Sequence, residues 1–227
     1  MILAGGLGTR LRGRFGDLPK PLTPLGGRPF LERQIQWLAS SGVSEVVLCV
    51  GHGADQVEDR LGDGSALGVR LCYSREVVPL GTGGALRWAR TFVEGPVLVV
   101  NGDTLPEIDP RALEATRARQ EAIGALALYR IEDAGASGRV EFGPDHRIAR
   151  FVEKDPSTRG VAWVSGGCYA FAPALWDHLP EGASSLERDV LPNLAVAGHL
   201  IAFPATGTFY DIGTPEGWER AEQHWAP

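Results

Sequence analysis

Two aspartates, one lysine and one arginine have the chemistry needed to act on phosphate groups. Asp103 and Asp211 each lie at the end of a predicted strand and close to a glycine. A few carboxylate oxygens, completed by phosphate oxygens and water, form the ligand shell that Mg²⁺ prefers in proteins. Arg10 and Lys20 would add positive charge beside phosphate oxygens. Because transfer of a phosphoryl-type group needs positioning, a metal and cations more than covalent help, these residues together predict such a site.

A glycine-rich segment near the start of the chain predicts a loop that grips phosphate. Gly5, Gly6 and Gly8 follow a short apolar run, and each can adopt a positive φ and admit a close approach to its backbone. Successive backbone N–H groups in such a loop can converge on an anion, and Arg10 follows closely. The spacing does not match a P-loop, and Leu11 stands where a dinucleotide-binding fingerprint needs its third glycine or alanine.

Two further segments carry charged side chains. Three prolines between positions 19 and 24 predict an extended path without helix, which would aim Lys20 at a fixed point. In the second half of the chain, Lys154 could neutralise a second phosphate while Glu153 accepts hydrogen bonds from the hydroxyl groups of a polyol. A surface ion pair is the alternative interpretation of these two residues, and their spacing does not decide between the two.

The rest of the sequence alternates between strand and helix patterns, which predicts βαβ units, a mostly parallel sheet and an α/β fold. Ligands of such sheets bind beyond the carboxyl ends of the strands, so the loop from Gly5, the turn at Gly81 and Asp103 should share one edge. The predicted strands cover 1–4, 45–50, 69–73, 96–100, 122–130, 139–142, 147–153, 163–171, 200–203 and a short run ending at 211. The predicted helices begin near 29, 54, 81, 110, 186 and 215.

Two local signals refine this pattern. The pair Gly166-Gly167 inside the strand 163–171 predicts a bulge or a close approach of a ligand to the backbone. Thr214 and Pro215 predict the N-cap and first position of the last helix. No linker or repeat interrupts the sequence, so we expect one domain over 1–227, with halves at about 1–109 and 110–227.

Composition narrows the class of protein. The formal net charge of −6 and the lack of a basic run argue against general nucleic-acid binding. No stretch has the apolar length of a membrane helix, and no secretion signal is evident. The three cysteines are far apart, and no spacing indicates a zinc site or a nucleophilic triad. We therefore expect a cytoplasmic protein that acts on small anionic substrates.

The motifs, taken in order, resemble those of the sugar-1-phosphate nucleotidyltransferases over essentially the whole chain. The resemblance implies a Rossmann-like GT-A type fold with a mixed, mostly parallel central sheet flanked by helices. It implies that a nucleoside triphosphate and a sugar 1-phosphate react to give a nucleotide-sugar and pyrophosphate. The segments that carry it are Leu3-Ala4-Gly5-Gly6-Leu7-Gly8-Thr9-Arg10-Leu11, Pro19-Lys20-Pro21-Leu22, Pro79-Leu80-Gly81-Thr82-Gly83-Gly84, Asn101-Gly102-Asp103, Glu153-Lys154 and Asp211-Ile212-Gly213-Thr214-Pro215.

The same resemblance implies roles for individual residues. Catalysis would depend on Arg10, Lys20 and Asp103, and Mg²⁺ would be held by Asp103 and Asp211. The nucleotide would be bound by Leu3, Ala4, Gly5, Gly6, Gly8, Thr9, Arg10, Glu76, Gly81, Thr82 and Gly83. The sugar phosphate would be bound by Asn101, Gly138, Glu153, Lys154 and Gly167. The aromatic residue that usually precedes the glycine at position 138 is missing here.

Several alternatives stay open at this stage. Within the family, the chain is most similar to guanylyltransferases that use D-glycero-α-D-manno-heptose 1-phosphate or mannose 1-phosphate with GTP. A uridylyl- or thymidylyltransferase acting on N-acetylmuramic acid or glucose 1-phosphate is the alternative, because a few hydrogen bonds decide the base. A non-catalytic nucleotide-sugar-binding subunit and a nicotinamide-dependent dehydrogenase are rivals from other classes, and Leu11 argues against the dehydrogenase. Homo-oligomers are common in the family.

Overall fold

A computed structural model describes residues 1–6, 8–132, 138–152 and 160–225. The strands are β1 (Ile2–Leu3), β2 (Pro24–Leu25), β3 (Arg28–Pro29), β4 (Glu45–Val50), β5 (Arg70–Arg75), β6 (Val97–Asn101), β7 (Thr104–Pro106), β8 (Gly124–Ile131), β9 (Arg139–Phe142), β10 (Ile148–Val152), β11 (Ala162–Phe171), β12 (Leu200–Ala205) and β13 (Phe209–Asp211). The α-helices are α1 (Arg12–Phe15), α2 (Phe30–Ser40), α3 (Ala54–Leu61), α4 (Gly81–Trp88), α5 (Pro110–Arg119), α6 (Leu191–Val196) and α7 (Pro215–Trp225). Short 3₁₀ turns cover Thr9–Leu11, Lys20–Leu22, Ser65–Leu67, Ala89–Phe92 and Pro173–His178, and a π-helical turn covers Leu186–Val190.

A nine-stranded sheet runs through both halves of the chain. Strand β1 pairs in parallel with β4 and β6, and β4 pairs in parallel with β5. Strand β11 runs antiparallel to β6, β8 and β9, while β12 is parallel to β8 and β10 is antiparallel to β9. The prediction of a mixed, mostly parallel α/β sheet is confirmed.

Helices cover both faces of this sheet because successive strand residues point to opposite sides. In β4, Val47 and Cys49 pack with the layer that contains α4 and α6, whereas Val46, Leu48 and Val50 pack with the layer that contains α2, α3 and α5. A strand that is buried on both faces reads as a continuous apolar run, which is why β4 was predictable from sequence. Among the described residues, no helix combines the length and apolarity needed to cross a membrane.

The first strand and the proline segment differ from the sequence-based prediction. Strand β1 spans Ile2–Leu3 and not 1–4. The segment that was expected to be extended instead forms one 3₁₀ turn over Lys20–Leu22, in which the N–H of Leu22 donates to the carbonyl of Pro19 at 2.8 Å. Proline is tolerated early in such a turn because its missing N–H would have no partner there. The prediction of a helix-free path was therefore wrong.

A small antiparallel pair, β7 and β13, was not predicted as a unit. Its register places Asp211 opposite Thr104. Each strand is only three residues long, so neither shows the alternation from which strands are recognised. This pairing matters for the site because it joins two distant parts of the chain beside Asp103.

The glycine pair in β11 forms the predicted bulge. The pairing of β11 with β8 shifts register between Ser165 and Tyr169, and Gly167 has a φ of 69°. A Cβ on Gly167 would lie 3.1 Å from the Asn101 side chain. The bulge therefore lets the end of β6 approach β11 closely. Thr214 caps α7 as predicted, since its hydroxyl accepts the N–H of Gly217 at 3.1 Å.

Candidate active site

The loop after β6 is packed directly against the end of β1. The N–H of Gly102 donates to the carbonyl of Leu3 at 2.9 Å, and a Cβ on Gly102 would lie 2.9 Å from the Ala4 Cα. Neighbouring parallel strands β1 and β6 end at the same sheet edge, as the alternating pattern predicted. Asp103 is thereby delivered beside the glycine-rich loop.

The glycine-rich loop uses its glycines differently from the expectation. Of Gly5, Gly6 and Gly8, Gly8 has a positive φ, at 60°, whereas Gly5 and Gly6 do not. Gly5 instead allows a close approach, because a Cβ there would lie 2.7 Å from Oε1 of Glu76. Leu7 of this loop lies outside the described residues.

The two aspartates meet at the β7–β13 pair. The N–H of Ile212 donates to the backbone carbonyl of Asp103 at 2.9 Å, and the N–H of Gly213 donates to Oδ1 of Asp211 at 2.6 Å. A Cβ on Gly213 would lie 2.7 Å from Asp211 Oδ1, 3.3 Å from Asp103 Oδ2 and 3.5 Å from a terminal nitrogen of Arg10. Both carboxylates and the guanidinium therefore surround one backbone position.

Lys20 completes the charged group. Its Nζ forms an ion pair with Oδ2 of Asp103, and the two side chains are 14% and 29% exposed. The 3₁₀ turn after Pro19 sets the direction of the lysine, and Gly8 makes room for it, because a Cβ on Gly8 would lie 2.9 Å from the Lys20 Cβ. The four residues selected from sequence for their phosphate chemistry are thus together.

The negative charge of Asp211 is only partly compensated by the positive groups around it. Burial raises the pKa of Asp211 above its ordinary value, and the nearby charge of Asp103 raises it further. The Gly213 N–H and the charges of Lys20 and Arg10 lower this pKa, but the net direction is upward. The Asp211 side chain still reaches solvent, so both effects act at the wall of an open cleft.

This donor set fits a divalent metal ion of the Mg²⁺ type. Like charges held together by the fold are relieved by a bound dication, and carboxylate oxygens are hard ligands. Within the described ranges, no group of three or more His, Cys, Asp and Glu side chains is arranged to hold a metal. Two carboxylates with phosphate oxygens and water match the way that Mg²⁺ binds in phosphate-processing sites.

A cavity of about 530 Å³ opens beside Asp103 and the glycine-rich loop. Most of the residues expected to bind nucleotide line it. These residues are Leu3, Ala4, Gly5, Gly6, Arg10, Glu76, Gly81 and Thr82. Lys20, Asn101 and Asp103, which were expected to have other roles, also line this cavity. In its wall, Oε2 of Glu76 accepts the N–H of Leu80 at 2.9 Å, and burial raises the pKa of this carboxyl.

A larger cavity of about 1330 Å³ opens on the other side of Asp103. Of the residues expected to bind the sugar phosphate, Asn101, Gly138 and Gly167 line it, and Asp211 lies in its wall. Glu153 and Lys154 lie outside the described residues. The two cavities share Asn101, Asp103 and Glu187. Asp103 therefore stands where the two spaces meet, while Asp211 faces the larger one.

Three of the residues expected to bind nucleotide are not among those that line the smaller cavity. Gly8 packs against Lys20, and Thr9 begins the 3₁₀ turn Thr9–Leu11. Gly83 donates its N–H to the carbonyl of Ser184 at 2.9 Å, so it contacts the second half of the chain. Direct nucleotide contact by these residues stays a prediction.

Two residues that support the site carry weak sequence signals. Gln34 is fully buried in α2, and its amide donates to the carbonyls of Asn101 at 2.8 Å and Thr104 at 2.6 Å. It thereby ties the Asp103 loop to α2, and a polar residue on the apolar helix face was its only signal. Glu187 lies in a π-helical turn, a feature that often marks functional sites but cannot be recognised from sequence periodicity.

Comparison with known proteins identifies the family. A model of the nucleotidyl transferase family matches residues 1–226. A mannose-1-phosphate guanylyltransferase of Mycobacterium tuberculosis is 35% identical over 226 residues, which cover 97% of this chain and 62% of that protein. The catalytic subunit beta of a Drosophila melanogaster mannose-1-phosphate guanylyltransferase is 32% identical over 220 residues, covering 95% and 59%.

A solved structure matches at nearly full length. The crystal structure of HddC from Yersinia pseudotuberculosis complexed with GMP-PN superposes with a TM-score of 0.86 at 31% identity, and the match covers 99% of this chain and 97% of that one. By contrast, the chain spans about three fifths of the length of the curated relatives that it matches. The family match and the shared fold lead to the same conclusion: the chain belongs to the nucleotidyl transferase family.

Proposed function

We propose that this chain transfers GMP from GTP to a sugar 1-phosphate and releases pyrophosphate. The preferred acceptors are D-glycero-α-D-manno-heptose 1-phosphate and mannose 1-phosphate. The observation that carries the proposal is the position of Asp103 between two cavities, with Asp211, Lys20 and Arg10 around it. A reaction between two phosphate compounds needs adjacent sites that share cations and acids at their border.

The proposed reaction makes one bond and breaks one bond. A phosphate oxygen of the sugar 1-phosphate forms a bond to the α-phosphorus of GTP, and the bond from that phosphorus to the bridging oxygen of the β-phosphate breaks. The products are a GDP-sugar and pyrophosphate. The attacking phosphate is already an anion, so the step requires no general base. Lys20 and Arg10 would orient the phosphates and offset the negative charge that develops on the leaving group.

Asp103 and Asp211 would hold the metal ion. When bound, Mg²⁺ would supply positive charge that offsets the negative charge of the phosphates. Lys20 contacts Asp103 in the structure, so it is within reach of the same phosphates. Pairing with Asp103 also keeps the lysine ordered near the border of the two cavities.

The choice of GTP rests on similar proteins. Two relatives are named mannose-1-phosphate guanylyltransferase, and the HddC structure contains the guanine nucleotide GMP-PN. The alternatives with UTP or dTTP, and a subunit that binds nucleotide-sugar without turnover, are outcomes of the test below.

The test is a pyrophosphate-release panel with Mg²⁺. It crosses GTP, UTP, dTTP and ATP with the 1-phosphates of heptose, mannose, glucose and N-acetylmuramic acid. We expect turnover with GTP and either heptose or mannose 1-phosphate. Asp103→Asn should abolish it, while Asp177→Asn, a matched change at an exposed position, should not. Turnover with another pair of substrates would replace the proposed substrate assignment. The absence of turnover with every pair would refute the proposal that the protein is an enzyme of this kind.

A further inference from the structure

The Thr82 hydroxyl is engaged by the segment that leads to Glu187. Its Oγ1 donates to Oε2 of Glu187 at 2.7 Å and accepts the backbone N–H of Leu186 at 2.7 Å. A hydroxyl group has one hydrogen to donate. In this arrangement Thr82 therefore has no hydrogen left for a nucleotide, although it lines the smaller cavity.

The glycines that follow Thr82 pack against the same segment. The N–H groups of Gly83 and Gly84 donate to the carbonyl of Ser184 at 2.9 and 3.3 Å. A Cβ on Gly84 would lie 2.6 Å from the backbone carbonyl oxygen of Gly182. Such a separation is below van der Waals contact, so these positions require glycine for the two segments to meet. The start of α4 thus holds the approach to Glu187 in place.

In the described part of the chain, two acidic residues line both cavities, and they are Asp103 and Glu187. The Oε2 of Glu187 also accepts the Ser185 hydroxyl, at 3.1 Å. Two hydroxyl donors on one carboxylate oxygen restrict the side chain to a narrow set of orientations. A carboxylate held in this way is a strong acceptor for the hydroxyl groups of a ligand.

We propose that Thr82 is a positioning residue for the sugar, and that it acts through Glu187. Its hydroxyl holds the Glu187 carboxylate where it accepts a hydrogen bond from a hydroxyl group of the sugar 1-phosphate in the larger cavity. This inference rests on the proposed function of the same site. It assigns the Thr82 hydroxyl to the acceptor substrate, whereas the sequence placed Thr82 with the nucleotide.

The proposal predicts which kinetic constant each substitution changes. Thr82→Val removes the hydroxyl and keeps the shape of the side chain, and Thr82→Ser keeps the hydroxyl. Thr82→Val should raise the KM for the sugar 1-phosphate about tenfold, because a hydrogen bond to a charged group is lost. The KM for GTP should stay within about twofold, and Thr82→Ser should resemble the wild type.

A second variant separates positioning from folding. Glu187→Gln keeps the size of the side chain and weakens its capacity as an acceptor, so it should also raise the KM for the sugar. If Thr82 acts through Glu187, adding Thr82→Val to Glu187→Gln should change that KM by less than about twofold. Thermal melting of each variant shows whether it is folded. If Thr82→Val does not fold, the KM of Glu187→Gln for the sugar 1-phosphate decides, and an unchanged value overturns the inference.

The outcomes distinguish this inference from the proposed function. Wild-type turnover with GTP and heptose or mannose 1-phosphate is measured first, and its absence refutes the proposed function together with this inference. If the wild type is active, a higher KM for GTP with an unchanged KM for the sugar shows that Thr82 serves the nucleotide. The inference is also overturned, without affecting the proposed function, if Thr82→Val leaves both KM values unchanged. The same holds if the effects of Thr82→Val and Glu187→Gln on the KM for the sugar multiply in the double variant.

Discussion

Replacing Asp211 with asparagine should stabilise the metal-free protein while removing its activity. The substitution eliminates one of two negative charges that the β7–β13 pair holds close together. The oxygen that accepts the Gly213 N–H at 2.6 Å is kept, because asparagine also has an Oδ1. The main change is therefore the loss of an unfavourable charge, at a place where the proposed function requires that charge.

The size of the effect is modest because Asp211 still reaches solvent. Charge pairs with this degree of screening contribute about 0.5–1 kcal/mol. For a chain of this length, 1 kcal/mol shifts the melting temperature by about 2–4 °C. We therefore expect the melting temperature of Asp211→Asn to exceed that of the wild type by about 1–4 °C at neutral pH without divalent ions.

The pH dependence has a defined sign. The pKa of Asp211 is raised in the folded protein above its ordinary value of 3.8. Between those two pKa values the folded state binds more protons than the unfolded state, so the stability of the wild type falls as pH rises. Asparagine does not titrate. The advantage of Asp211→Asn should therefore grow as pH rises from about 4 and become constant above the raised pKa.

Thermal unfolding followed by circular dichroism, from pH 4 to pH 8 in a chelating buffer, measures this difference. Adding Mg²⁺ and GTP at about 100 times the dissociation constant should stabilise the wild type by about 2.7 kcal/mol and the variant by much less. Asp177→Asn is the matched control and should follow the wild type in both experiments. A lower melting temperature for Asp211→Asn, or an advantage that is the same at pH 4 and pH 8, would refute the electrostatic argument.

Three further substitutions probe the same site. Lys20→Gln breaks the ion pair with Asp103 and should reduce kcat at least tenfold while lowering the free energy of unfolding by about 1–3 kcal/mol; a loss of stability without a loss of turnover in the pyrophosphate assay would contradict its catalytic role. Gly213→Ala places a methyl group against the carboxylates of Asp103 and Asp211. Half-maximal turnover should therefore need a higher Mg²⁺ concentration, and the free energy of unfolding should fall by about 1–3 kcal/mol. Gln34→Leu leaves two carbonyls of the Asp103 loop without a partner and should lower the free energy of unfolding by about 2–4 kcal/mol, measured by urea denaturation.

Much of the sheet could be predicted because its strands are buried on both faces. Strands β4 and β9 have the predicted bounds, and α3 begins at the predicted residue. The place of Asp103 at the carboxyl end of β6 followed from a general rule of parallel sheets. The bulge in β11 followed from two adjacent glycines in an apolar run.

Other features of the site depend on contacts between distant segments, which local patterns do not encode. Gly83 was expected at the nucleotide, but its backbone N–H donates to the carbonyl of Ser184. Glycine indicates that something approaches the backbone without indicating what it is. Likewise, the role of Gln34 depends on which loop meets α2, and the sequence of the helix does not contain that information.

The route of the chain to Asp211 has a consequence for how the protein matures. One acid of the pair follows β6, while the other ends β13, much later in the chain. A ribosome-bound fragment that ends before β13 contains the residues of β1, β4, β5 and β6 but only one of these two carboxylates. Under the proposed function, a metal site built from both carboxylates would therefore exist only after β13 has paired with β7.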